Sequence, residues 1–152
     1  MRSLKRSIPG QGVAALLALS LAACAQTPAT QSAAQPVVDW RSVATTDNQQ
    51  AFVDASSLAE VGGFVEARTK QNFTQPQPAA KKGETYLSAL NTYRFDCAQR
   101  KVAMKRLEAY AGADLQGPIV QKATSTDKNL RWLDAPESTV FGELLDFACR
   151  RR

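Results

Sequence analysis

Histidine is absent from all 152 residues of this chain. Its absence removes the side chain that titrates nearest neutral pH, the usual general base and the commonest metal ligand. Cysteine is nearly as scarce, with three, and two cysteines without a histidine do not build a structural zinc site. Phosphate-cradling glycine loops are missing too, because Gly62-Gly63 has neither the spacing nor the following helix. Of the 14 acidic residues, none stands in a spacing that predicts a paired acid and base. Asp54 beside Ser56 and Ser57 reads as a turn hydrogen-bonded by its own side chains, and Asp96 beside Cys97 as a strand-end surface residue. No catalytic residue, metal or cofactor is expected. An enzyme of unfamiliar type would need a concave pocket with perturbed acidic residues.

Excess charge of one sign is also lacking. The formal charge is +5, but Arg2, Lys5 and Arg6 all sit in the first few residues, and without them 16 basic side chains face 14 acidic ones. That balance is too mild to argue for nucleic acid. Nor is any apolar run as long as the roughly 20 residues of a membrane-spanning helix. A shorter one, Val13 to Leu21, stands behind the basic start and leads into Leu21-Ala22-Ala23-Cys24. Basic, apolar, then small residues read as a bacterial export signal. Small residues before a cysteine resemble the lipobox of bacterial lipoproteins, which are cleaved before the cysteine and acylated on it. Residues 1–23 are therefore expected to be a lipoprotein signal peptide, with Cys24 the lipidated first residue of the mature chain and its membrane anchor. The alternative is an ordinary secretory signal cleaved nearby, with Cys24 incidental. Ala25, rather than aspartate, after the anchor points to the outer membrane under the common bacterial sorting rule. Ala25 to Pro36 has no charge and no large apolar side chain, so residues 24–36 read as a flexible tether, about 40 Å at full extension.

With Cys24 acylated, Cys97 and Cys149 remain as an even pair in an oxidising compartment, and one disulfide follows. Residues 37–152 read as one small domain. Val37 to Thr46, Gln50 to Ala55 and Phe64 to Phe73 show strand signals, the last with Val65, Ala67 and Thr69 opposite Glu66, Arg68 and Lys70. Gln75 to Gly83 reads as a loop by composition, and Thr85 to Cys97 as the longest strand, interrupted at Leu90 and Asn91. Arg100 to Tyr110 fits helix nearly as well as strand; strand is preferred because its neighbours pair across very short turns. Pro118 to Ala123 is a further strand. Val140, Phe141, Leu144, Leu145 and Ala148 form a helical stripe, with Pro136 suited to its first turn and Ser138 to its cap. Trp40 and Trp132 are expected in the core.

Several short motifs stand in a telling order: Trp40-x-x-Val43, Phe52-Val53-Asp54 with Ser56-Ser57, Gly62-Gly63-Phe64, Ser88, Phe95-Asp96-Cys97, Pro136-x-Ser138 and the helix ending in Cys149. Together, over about residues 38 to 149, they resemble the surface-adhesin protein E family of bacterial lipoproteins. The resemblance implies an α+β domain: a single antiparallel sheet of about six strands, with a C-terminal helix on one face tied by the disulfide. It also implies a non-enzymatic adhesin. The best-known member binds host matrix and plasma proteins, so extracellular matrix proteins, plasma proteins or acidic glycans become the expected partners, without nucleic acid. A dimer stays open, as does a periplasm-facing structural or assembly role in the envelope.

Arg100, Lys101, Lys105 and Arg106 are the densest basic cluster. They are the candidate patch for an acidic glycan, a lipopolysaccharide phosphate or an acidic protein. The plainer reading, a solvated edge strand guarded by its charges, is preferred.

Overall fold

The computed structural model describes residues 37–150. The expected signal peptide, Cys24 and the tether lie outside the described residues. Eight antiparallel strands follow in chain order: β1 (Trp40–Thr45), β2 (Gln49–Asp54), β3 (Ala59–Val61), β4 (Phe64–Pro78), β5 (Thr85–Asp96), β6 (Lys101–Tyr110), β7 (Ile119–Thr124) and β8 (Trp132–Asp134). The helix α1 spans Val140–Arg150. The main sheet order is β1-β2-β4-β5-β6-β7, with β3 beside β4 and β8 beside β6. This is the α+β architecture the resemblance implied, with six strands on the main path. The stretch expected as a strand from Arg100 to Tyr110 is one from Lys101 onward, but not an edge: β7 and β8 share its outer side.

Alternation along β2, β4 and β5 sends Ala51, Val53, Val65, Ala67, Tyr93 and Phe95 to one face, where Leu144, Leu145 and Ala148 of the helix meet them. Asn91 and Thr69 point the same way and are fully buried. The apparent interruption at Asn91 is therefore an inward polar residue, donating from Nδ2 to Gln71 Oε1 at 3.2 Å. Gly62 and Gly63, at φ 60° and 85°, form the two-residue turn between β3 and β4, a conformation other residues adopt only with strain. Gln75 to Pro78 belongs to β4 rather than to a loop, with Gln77 opposite Tyr86 and Pro78 opposite Thr85. Pairing with β2 stops at Phe73, so the prolines fall where β4 has a free edge and lose no ladder bond.

The helix is fixed at both ends. At its start the cap is Thr139, whose Oγ1 accepts from Gly142 N at 3.1 Å; Ser138 instead adopts a left-handed φ of 62°, and Pro136 lies ahead of the helix. A side chain at Gly142 would put its Cβ 2.1 Å from the Pro136 carbonyl oxygen. Gly142→Ala is therefore expected to cost about 2 kcal/mol through this clash, read as a lower urea midpoint with an unchanged slope. At the far end Cys149 is bonded to Cys97, which follows β5, with their Cα atoms 5.8 Å apart.

Candidate functional site

The helix covers one face of the sheet and leaves the other open. Register assigns that open face: Arg68, Thr92, Arg106 and Thr124 form one row across four strands, and Glu66, Arg94, Ala103 and Trp132 the next. Thr92 pairs with Arg106 and Tyr93 with Met104, so Lys105 is an extra, bulged residue. Strict alternation would send Lys105 and Arg106 to opposite faces. The bulge turns both to the open one.

Charge on this face is paired closely. Glu66 Oε1 accepts from Arg94 Nε at 2.8 Å and meets Lys105 Nζ at 3.1 Å, while Asp127 Oδ1 lies 2.8 Å from the same Nζ and 3.3 Å from Arg94. Arg94 is 6% exposed, unusually deep for a charge on an open face. Further across, Lys70 reaches Asp114 and sits over Phe52 and Trp40, 4.7 Å and 5.3 Å from their ring centroids. Asp54 is fully buried; it accepts from Asp39 N at 3.0 Å and Ser56 Oγ at 2.6 Å, and pairs with Arg68. The turn of self-satisfied side chains expected at Asp54-Ser56-Ser57 is present. Both tryptophans, expected in the core, lie half-buried on the open face, Trp132 against Phe64 at 5.2 Å.

These pairings set an acid limit. Burial alone would raise the Asp54 pKa, but the Ser56 hydroxyl, the Asp39 N–H and Arg68 outweigh it and hold the carboxyl below its ordinary value. Lys70 lowers Asp114 and Lys105 lowers Asp127. A depressed native pKa means the unfolded chain takes up protons first as pH falls. The stabilisation is thus complete above the ordinary carboxylate pKa of about 4 and is lost below it. Melting temperature should hold level from pH 7 to 5 and fall below about pH 4, less steeply in Asp54→Asn. A level curve down to pH 2 would refute the linkage.

The four residues of the basic cluster do not stay together. Arg100, at a left-handed φ of 51°, turns to the helix side and pairs with Asp146 at 2.7 Å. Lys105 is held by Glu66 and Asp127. Lys101 and Arg106 reach the open face, and neither has an ion-pair partner within 4 Å among the described residues. Arg106 borders a polar cavity of about 350 Å³ lined by Glu66, Thr92, Lys105 and the segment 124–127. Lys101 borders a second, of about 220 Å³, with Phe64, Asp96, Gln99 and Trp132. No local pattern marks Glu66, Arg94 and Asp127 as partners, although alternation places Glu66 and Arg94 on polar faces; their union depends on pairing across 28 and 33 positions.

The surface-adhesin protein E family model matches residues 40–150. The chain belongs to that family. Its sheet and helix are similar to those of Haemophilus influenzae protein E. The crystal form II structure gives a TM-score of 0.53 at 14% identity, covering 77% of this chain and 94% of that one. A second structure of protein E gives 0.52 at 14% identity, covering 77% and 91%. At such identity the likeness is one of fold. No curated protein sequence matches the chain closely. Membership in the surface-adhesin protein E family makes this an adhesin-like cell-surface protein. Among the described residues no helix is long and apolar enough to cross a membrane.

Proposed function

We propose that this protein is an outer-membrane lipoprotein, anchored through Cys24, that presents a non-enzymatic adhesin domain to surface proteins or glycans of a host or the environment. The observation that carries this reading is the asymmetry of the sheet within a surface-adhesin family. One face is closed by a helix pinned at both ends, and the other is an open, rigid field of paired charges and aromatic rings. A rigid scaffold with an exposed, polar, aromatic-bearing face suits recognition at little conformational cost. The sequence supports the anchor through Leu21-Ala22-Ala23-Cys24 and the standoff through residues 24–36.

Protease treatment of intact cells tests this directly. Release of the domain without lysis is the expected result. Protection until the cells are lysed would overturn the outward-facing reading and leave a structural or assembly role inside the envelope.

A further inference from the structure

We propose that the cavity beside Arg106 binds an acidic sugar, with the guanidinium taking the anionic group and the flanking hydroxyls taking the ring. This deepens the adhesin reading and rests on it for where the ligand is met. Arg106 is exposed, and its cross-strand neighbours on either side, Thr92 and Thr124, bring hydroxyls rather than carboxylates. Arg94, Lys105, Glu66 and Asp127 satisfy one another. The uncompensated charge at the cavity is therefore a single positive one, matched to one carboxylate or one sulfate. A guanidinium binds either in bidentate fashion.

The cavity lining favours a sugar over a protein segment. Every lining side chain is polar, with hydroxyls at Thr92, Thr124, Ser125 and Thr126. Protein interfaces draw their energy from buried aromatic and apolar anchors, for which this cavity has no counterpart. Glu66 and Asp127 can accept from ring hydroxyls, and they repel densely packed phosphates. A volume of about 350 Å³ lies at the small end of ligand sites, suited to one hydroxylated ring. Lys101 lies on the same strand and face, about 15 Å away at about 3.3 Å per residue. Beside it, Trp132 and Phe64 offer an apolar surface for the flat side of a second ring. Lys101 itself stands between Asp96 and Asp134 across the strands, so the anionic group is assigned to Arg106 alone. The aromatic surface takes a neighbouring ring, as in a linear acidic polysaccharide.

The test uses the full chain purified in detergent, with hyaluronate oligosaccharides as the carboxylated probe and chondroitin sulfate oligosaccharides as the sulfated one. Neutral dextran and polyglutamate serve as controls. Arg106→Gln should weaken binding about tenfold or more, whereas Lys82→Gln, which removes the same charge from the distant loop between β4 and β5, should change it less than about twofold. Thr92→Val should weaken binding with charge unaltered. Both probes carry a uronate carboxylate, so equal binding reports carboxylate recognition and tighter binding of chondroitin sulfate reports sulfate recognition. Equal losses in Arg106→Gln and Lys82→Gln would reduce the effect to net charge and overturn the site. So would failure of the wild-type chain to bind either oligosaccharide. Polyglutamate binding as tightly, with the same dependence on Arg106, would replace the sugar by an acidic protein segment. None of these outcomes depends on which way the domain faces, so they are separable from the intact-cell protease result.

Discussion

Cys149→Ser is expected to lose about 4 kcal/mol and to free the last turns of α1 from the sheet. The bond closes 52 residues of chain, and on the chain-entropy model a loop of that length contributes about that much, a large share of a small domain's total. The helix has little stability of its own, since 11 residues fall below the length at which an isolated helix persists in water. What keeps it helical is the burial of Leu144, Leu145 and Ala148 against β2, β4 and β5. In the variant, the Thr139 cap and the Arg100–Asp146 pair still hold the first turns. The expected product is therefore a domain with an intact sheet and a fraying end to the helix. Limited proteolysis should cut after residue 146 well before the sheet, and the melting temperature should fall. Unchanged melting together with unchanged protease resistance would show that packing alone seats the helix.

Glu66→Gln is expected to be nearly as damaging, at about 3 kcal/mol, although it removes no bulk. Glu66 is the acceptor that Arg94 and Lys105 share, and the Arg94 side chain is 7% exposed. With the carboxylate neutralised, two cations face each other with only Asp127, itself 64% exposed, between them. Breaking a buried pair from one side costs more than the pair contributed, because the remaining charge stays desolvated. Arg94→Gln in the same chain should therefore recover part of the loss, giving a double variant more stable than the sum of the singles. Urea denaturation measures all three. A loss below about 0.5 kcal/mol in Glu66→Gln would place the network in the class of surface pairs that contribute little.

Much of the frame is legible in the sequence. Alternation in Phe64 to Phe73 and Thr85 to Cys97 separated the two faces correctly, because a sheet packed on one side imposes a period of two. The helical stripe was legible from its 3.6-residue period, and the Cys97–Cys149 pair from the even count left in an oxidising compartment. Four features were not. The prolines of Gln75 to Pro78 suggested a loop, since nothing in the sequence says which side of β4 is free. Thr139 rather than Ser138 caps the helix, a choice made by the approach of the chain from Pro136. Burial preference alone puts the tryptophans in the core, whereas the structure uses them to bed Lys70 and Phe64 on the open face. The bulge at Lys105 was invisible because it exists only as a mismatch of length between β5 and β6. The basic cluster could therefore be recognised as a run of charges but not sorted into those that bind the fold and those left over.

That bulge uncouples the chemistry of the surface from that of the interior. Removing Lys105 would restore regular alternation, with Met104 still inward opposite Tyr93 and Arg106 still outward opposite Thr92. The extra residue serves the β7 side, where its carbonyl accepts from Ser125 N at 2.8 Å, while the inward register between Met104 and Tyr93 is set without it. One position can thus be gained or dropped, rewriting the outward-facing chemistry without asking the inward-facing side chains to change. A lineage built on such a frame is free to try new contacts on one side of the sheet while the other side stays fixed.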